Sequence, residues 1–106
     1  PYTTLFRSVL EEKNFVDLTA TFKTGEIHYF EIKTNTARLS IREALGQILE
    51  YSDYPNASRA SKLIIVSVKP LDDSDRKYMK HLREKYQIPV WYRYYSLDTK
   101  SLGAEQ

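Results

Sequence analysis

A chain of 106 residues, 42% hydrophobic and 28% charged, is sized for one soluble globular domain with a single core. It has no cysteine, which excludes disulfides, thiolate metal sites and a cysteine nucleophile, and no apolar run approaches the roughly 20 residues that cross a bilayer, so a cytoplasmic protein without a membrane partner is expected. Sixteen basic against 14 acidic side chains leave a net charge of +2, too small to imply a polyanion partner by itself.

The chain opens on Pro1, and Pro1 to Ser8 resembles a translated sequencing-adaptor scar. The expectation is one domain over residues 1–106, cut from a longer protein whose N-terminal part is missing, with residues 1–8 outside the functional argument. Leu5, Phe6, Val9 and Leu10 recur at helical spacing and predict a helix from Thr3 to Lys13. Phe15 to Phe22 and Ile27 to Thr34 are rich in β-branched and aromatic residues, and Lys23-Thr24-Gly25 between them reads as a hairpin turn. Ser40 to Glu43 has the capping-box pattern of a helix start, and Ile41, Ala44, Leu45, Ile48 and Leu49 form its apolar stripe. Pro55 to Ser58 ends that helix, and Lys62 to Val68 is apolar enough for a central strand. Asp72 to Tyr86 predicts a second helix, buried through Tyr78, Met79, Leu82 and Tyr86 and stopped by Pro89. Val90 to Leu97 predicts an aromatic strand, and Ser101 to Gln106 a frayed tail. The predicted order is α-β-β-α-β-α-β, an α/β or α+β fold with a mixed central sheet flanked by helices.

Alternation puts Ile27, Tyr29, Glu31 and Lys33 on one face of their strand and His28, Phe30, Ile32 and Thr34 on the other. A two-residue Thr24-Gly25 loop would oppose Leu18 to Glu31 and send Asp17 to the far face. A three-residue Lys23-Thr24-Gly25 loop, with Gly25 in the left-handed position, instead pairs Phe22 with Glu26, Leu18 with Phe30 and Val16 with Ile32, leaving one face apolar. The same register sets Asp17 opposite Glu31.

Like charges facing each other destabilise a sheet unless a cation offsets them. Two carboxylates with a backbone carbonyl such as that of Ile32, completed by water and a substrate phosphate, suit Mg²⁺, with Mn²⁺ as a substitute. Lys33 beside such an ion could position or deprotonate water, or stabilise developing negative charge, which is the chemistry of phosphodiester hydrolysis. Taken alone, Glu-x-Lys is short enough to be the solvated face of a strand.

Val16-Asp17, then Glu31-Ile32-Lys33, then Gln47-Ile48-Leu49-Glu50-Tyr51 in the following helix resemble the PD-(D/E)XK, or restriction-endonuclease-like, nucleases, whose RecB-type branch carries Q-x-x-x-Y in that helix. The likeness spans most of residues 11–97. It implies a restriction-endonuclease-like fold and a Mg²⁺-dependent nuclease with Asp17, Glu31, Lys33, Gln47 and Tyr51 as its catalytic set. It further implies Asp17, Glu31 and the Ile32 carbonyl as metal ligands. Arg38, Ser40 and Arg42 would be the nucleic-acid contacts, DNA the partner with RNA as the alternative, and a homodimer or a fused domain the assembly. Valine stands where the family's proline precedes the aspartate, and Glu11 and Glu12 are the candidates for a glutamate from the first helix.

His28, on the hairpin's apolar face, reads as a core histidine and His81 as a surface one, and the two lack metal-ligand spacing. The Trp91 to Tyr95 aromatics could stack bases but read more simply as core and rim. Three glycines supply no phosphate-binding loop. The competing functional class is a non-catalytic nucleic-acid-binding or interaction module on the same fold, which would bind with marked salt dependence without cleaving.

Overall fold

The structure, a computed structural model, describes residues 6–11, 18–53 and 60–106, with the side chains of residues 6–11, 48, 49 and 51–53 outside the description. It comprises β1 (Phe6–Glu11), β2 (Leu18–Phe22), β3 (Ile27–Lys33), α1 (Ala37–Asp53), β4 (Lys62–Ser67), α2 (Asp73–Tyr86), β5 (Val90–Ser96) and β6 (Ser101–Leu102). The strands lie side by side in chain order. β1, β2 and β3 are antiparallel, β3, β4 and β5 are parallel, and β6 returns antiparallel on β5. The mixed sheet and the α+β class are as expected.

The first element differs. Phe6 to Glu11 is a strand rather than part of a helix, with Val9 opposite Ala20 and Glu11 opposite Leu18. A short run of helical spacing is worth less than a ladder of hydrogen bonds along the open edge of β2, so tertiary pairing decides the conformation. Phe6 and Ser8 pair with Phe22 and Thr21, so the adaptor-like segment contributes residues to the sheet.

The hairpin adopts the three-residue loop. The Phe22 amide donates to the Glu26 carbonyl at 2.9 Å, the Gly25 amide to the Phe22 carbonyl at 3.0 Å, and Leu18 faces Phe30. Gly25 sits at φ +94°, where a Cβ would be strained.

One face of the sheet carries the main core. Tyr29, Leu63, Ile65, Val90 and Tyr92 from β3, β4 and β5 meet Ala37, Ile41 and Ala44 of α1 and Met79 and Leu82 of α2. Both helices therefore lie on one face of the sheet, since both crossovers link neighbouring parallel strands in the same direction. The other face carries a smaller cluster of Ala20, Phe22, Phe30 and Ile64, with Leu18, Val66 and Trp91 partly buried against it. His28 is buried on that face, its ring 4.4 Å from the ring of Phe22.

Helix α1 begins three residues before Ser40. The Thr36 hydroxyl accepts from the Leu39 amide at 3.4 Å, while Ser40, fully buried, donates its own hydroxyl to the Asn35 carbonyl at 3.1 Å. Thr36 is thus the cap, and Ser40-Ile41-Arg42-Glu43 is a stretch of helix interior rather than a capping box. The reciprocal box belongs to α2, where Asp72 accepts from the Asp75 amide and Asp75 from the Asp72 amide. Tyr78 and Tyr86, expected inside, are 45% and 59% exposed, because α2 presses only Met79 and Leu82 fully onto the sheet. The C-terminus is not frayed: Tyr92 and Gln106 exchange backbone hydrogen bonds at 2.9 Å, and the Gly103 amide donates to Tyr94 at 2.7 Å.

Candidate functional site

The pleat of β3 and one flank of α1 build a charged cluster at the rim of the main core. Glu31 and Lys33 follow Tyr29 along the same face of β3. Glu31 lies on a central strand between β2 and β4, and its side chain is only 6% exposed. A carboxylate so placed needs compensation, and the Lys33 ammonium is 3.7 Å from its Oε1. Lys33, itself 12% exposed, donates to Gln47 Oε1 at 2.5 Å and stands 3.6 Å from Glu43 Oε2. The Lys33 ammonium therefore lies among a buried carboxylate, a carboxylate that is 49% exposed and a side-chain amide.

Gln47 and Glu43 reach Lys33 because they stand four residues apart on one flank of α1, just beside the stripe that buries Ser40 and Ala44. The sequence pattern assigns Glu43 to a capping box, whereas the structure sets it beside Lys33. The signal that could have placed it here is its spacing from Gln47. Asn35, in the β3–α1 connection, donates to its other oxygen at 3.5 Å. Thr19 of β2 faces Tyr29, and its hydroxyl is buried with no hydrogen-bond partner among the described residues. Alternation along β2, two positions beyond Asp17, is the signal that points to it. Burial raises the Tyr29 phenol above its ordinary value of 10, so this ring at the inner end of the cluster stays neutral.

Of the residues singled out by sequence, Glu31, Lys33 and Gln47 are brought together. Asp17 lies outside the described residues, as does the side chain of Tyr51, whose backbone is in the last turns of α1. Glu11 ends β1, and Glu12 lies outside the described residues. Ile32 points its side chain to the opposite, exposed side of the sheet. Ser40 has no exposed surface. Arg38 and Arg42 are exposed, but they leave α1 about 140° around the helix from Glu43 and Gln47 at ~100° per residue. They line a separate cleft with Ser74, Asp75 and Tyr78 of α2.

Among the described residues no three His, Cys, Asp or Glu side chains are grouped as metal ligands, and no helix is long and apolar enough to cross a membrane. Glu31 by itself offers the hard oxygen donor that Mg²⁺ takes, and a metal site there would need further ligands beyond those the described residues supply. No protein-family model, curated protein or solved structure matches this chain.

Proposed function

We propose that the chain is a metal-dependent nuclease domain of the restriction-endonuclease-like kind, acting on DNA. The observation that carries the reading is the convergence of Glu31, Lys33 and Gln47, from two elements, onto one charged cluster at the sheet rim. A pair of charges this well buried is a costly way to stabilise a small domain. The same pair is well suited to hold a cationic side chain in one place beside a phosphate.

In this reading Asp17, which the Leu18–Phe30 register extended by one pair would set opposite Glu31, would hold Mg²⁺, or Mn²⁺ in its place, together with Glu31 and the Ile32 carbonyl. The ion when bound polarises a phosphoryl oxygen and makes bound water a better nucleophile. Lys33 orients the attacking water and stabilises the negative charge that grows on the phosphoryl oxygens as the water oxygen bonds to phosphorus and the ester oxygen departs. Gln47 fixes the Lys33 ammonium through the 2.5 Å hydrogen bond, which limits the positions Lys33 can take. Glu43, on the solvent side, tempers the charge of Lys33 without burying a second acid. Tyr51 supports the substrate from the next turn of α1.

The experiment is cleavage of plasmid, linear and single-stranded DNA by the wild-type protein, Asp17→Ala and Lys33→Ala, with Mg²⁺, with Mn²⁺ and with chelator. Circular dichroism checks that each variant is folded. Metal-dependent cutting that both variants lose is expected. Full activity in either folded variant would remove the assignment, and DNA binding without cutting by the wild type would favour a non-catalytic binding module.

A further inference from the structure

The cleft between α1 and α2 is distinct from the acid-lysine cluster. It encloses about 370 Å³ and is lined by Arg38, Arg42, Ser74, Asp75 and Tyr78. Arg38 and Arg42 stand four residues apart on one flank of α1, so their guanidinium groups emerge side by side. Both are exposed, and among the described residues neither has a hydrogen-bond or ion-pair partner. Of the acids nearby, Asp75 lines the cleft itself. Asp75 accepts from the Asp72 amide at 3.1 Å, Asp72 caps the Asp75 amide at 2.8 Å, and Asp73 pairs with Arg76.

Two guanidinium groups against the single carboxylate of Asp75 leave the lining net positive, which favours an anion, and their planar forks match the oxygens of a phosphate. The opposite wall carries the half-exposed ring of Tyr78 and the Ser74 hydroxyl, which already donates to Asp72 Oδ1 at 2.8 Å. A half-exposed aromatic ring beside a phosphate-binding pair is the combination that holds a nucleotide, with the ring against the base and the cations on the phosphate. A volume of about 370 Å³ lies within the range of small-molecule pockets, about 300–1,000 Å³.

We infer that the α1–α2 cleft is a binding site for a nucleobase-bearing phosphate ester, with Arg38 and Arg42 on the phosphate and Tyr78 stacked on the base. Such a group can come from a free mononucleotide or from one residue of a single strand. Arg38 and Arg42 remain phosphate contacts, as the family resemblance implies, but in a cleft apart from the acid-lysine cluster, so the inference does not rest on the nuclease reading: binding here uses neither Glu31 nor Lys33.

The test is equilibrium binding in chelator of thymidine 5′-monophosphate and of a fluorescent oligothymidylate, across a salt series. The proteins compared are the wild type, the double variant Arg38→Ala with Arg42→Ala, Tyr78→Ala and Lys23→Ala. The arginine variant should lose at least tenfold in affinity, with the salt slope on the oligonucleotide lowered by about 0.7 for each phosphate contact removed. Tyr78→Ala should lose roughly tenfold, and Lys23→Ala, in the exposed hairpin loop, should retain most of the binding. Binding of both probes identifies a mononucleotide site, and binding of the oligonucleotide alone identifies a strand path; either supports the inference. Unchanged binding in the arginine variant overturns it, as does absence of binding to both probes. Loss in the arginine variant with none in Tyr78→Ala overturns the nucleotide assignment and leaves a plain anion site.

Discussion

Replacing Lys33 with methionine tests whether the charged cluster is a coupled, buried unit. The Glu31–Lys33 separation is 3.7 Å, with side chains 6% and 12% exposed. At an effective dielectric of about 20, that separation corresponds to roughly 4 kcal/mol of attraction, against which stands a desolvation cost of several kcal/mol for each ion. The intact pair is therefore worth little net. Removing only the ammonium deletes the attraction and the hydrogen bond to Gln47 while Glu31 stays in its low-dielectric position. The expected cost of Lys33→Met is about 3 kcal/mol. A domain of this length has an unfolding entropy near 0.22 kcal/mol/K, so that cost lowers Tm by about 13 °C. Glu43 is 3.6 Å from the same ammonium but 49% exposed, so solvent screens it, and Glu43→Gln should cost less than about 1 kcal/mol. The double variant Glu31→Gln with Lys33→Met should be more stable than Lys33→Met alone, since it also removes the buried carboxylate that the ammonium compensated. Urea denaturation and thermal melts of the wild type and the three variants at one pH measure all of these. A Lys33→Met protein within about 1 kcal/mol of wild type, or a Glu43→Gln cost equal to it, would refute the picture of a buried pair with an exposed satellite.

Two further outcomes follow from the fold. Burial lowers the His28 pKa below its ordinary 6.5, assisted by the Lys62 ammonium and opposed by the Glu26 and Glu105 carboxylates. The Glu26 carboxylate 3.9 Å away does not outweigh burial. The unfolded chain takes up the proton near pH 6.5 and the folded one only at lower pH. The contribution of His28 is thus complete above pH 6.5 and is lost as pH falls from there through its folded value. Urea midpoints at pH 7.5 and 5.0 should therefore differ more in the wild type than in His28→Gln, and equal differences would show that His28 is not held neutral. The two glycines of opposite conformation should respond oppositely to alanine. Gly46 lies inside α1 with open space where a Cβ would stand, so Gly46→Ala should raise stability by about 0.5–1 kcal/mol. Gly25 at φ +94° should lose about 1 kcal/mol or more on the same change. Chemical denaturation of both variants checks the pair of signs.

What could be read without coordinates was what depends on neighbours in the chain. The side-chain alternation that puts Glu31 beside Lys33, the glycine that selects the three-residue hairpin loop, and the four-residue step that sets Gln47 on the flank of α1 are local geometry. All three hold in the structure. Amphipathic spacing likewise marked Ile41, Ala44, Met79 and Leu82 as core. What required the tertiary structure was decided by surfaces that meet from far apart in sequence. Phe6 to Glu11 is a strand because β2 offers it an edge, and the C-terminal residues are ordered because β5 does. Glu43 serves Lys33 rather than a helix cap because Thr36 already caps α1 and because β3 passes beneath that flank. The arginines face α2 rather than the acid cluster because the apolar stripe of α1 settles its rotation on the sheet, and that rotation is a property of the packed core.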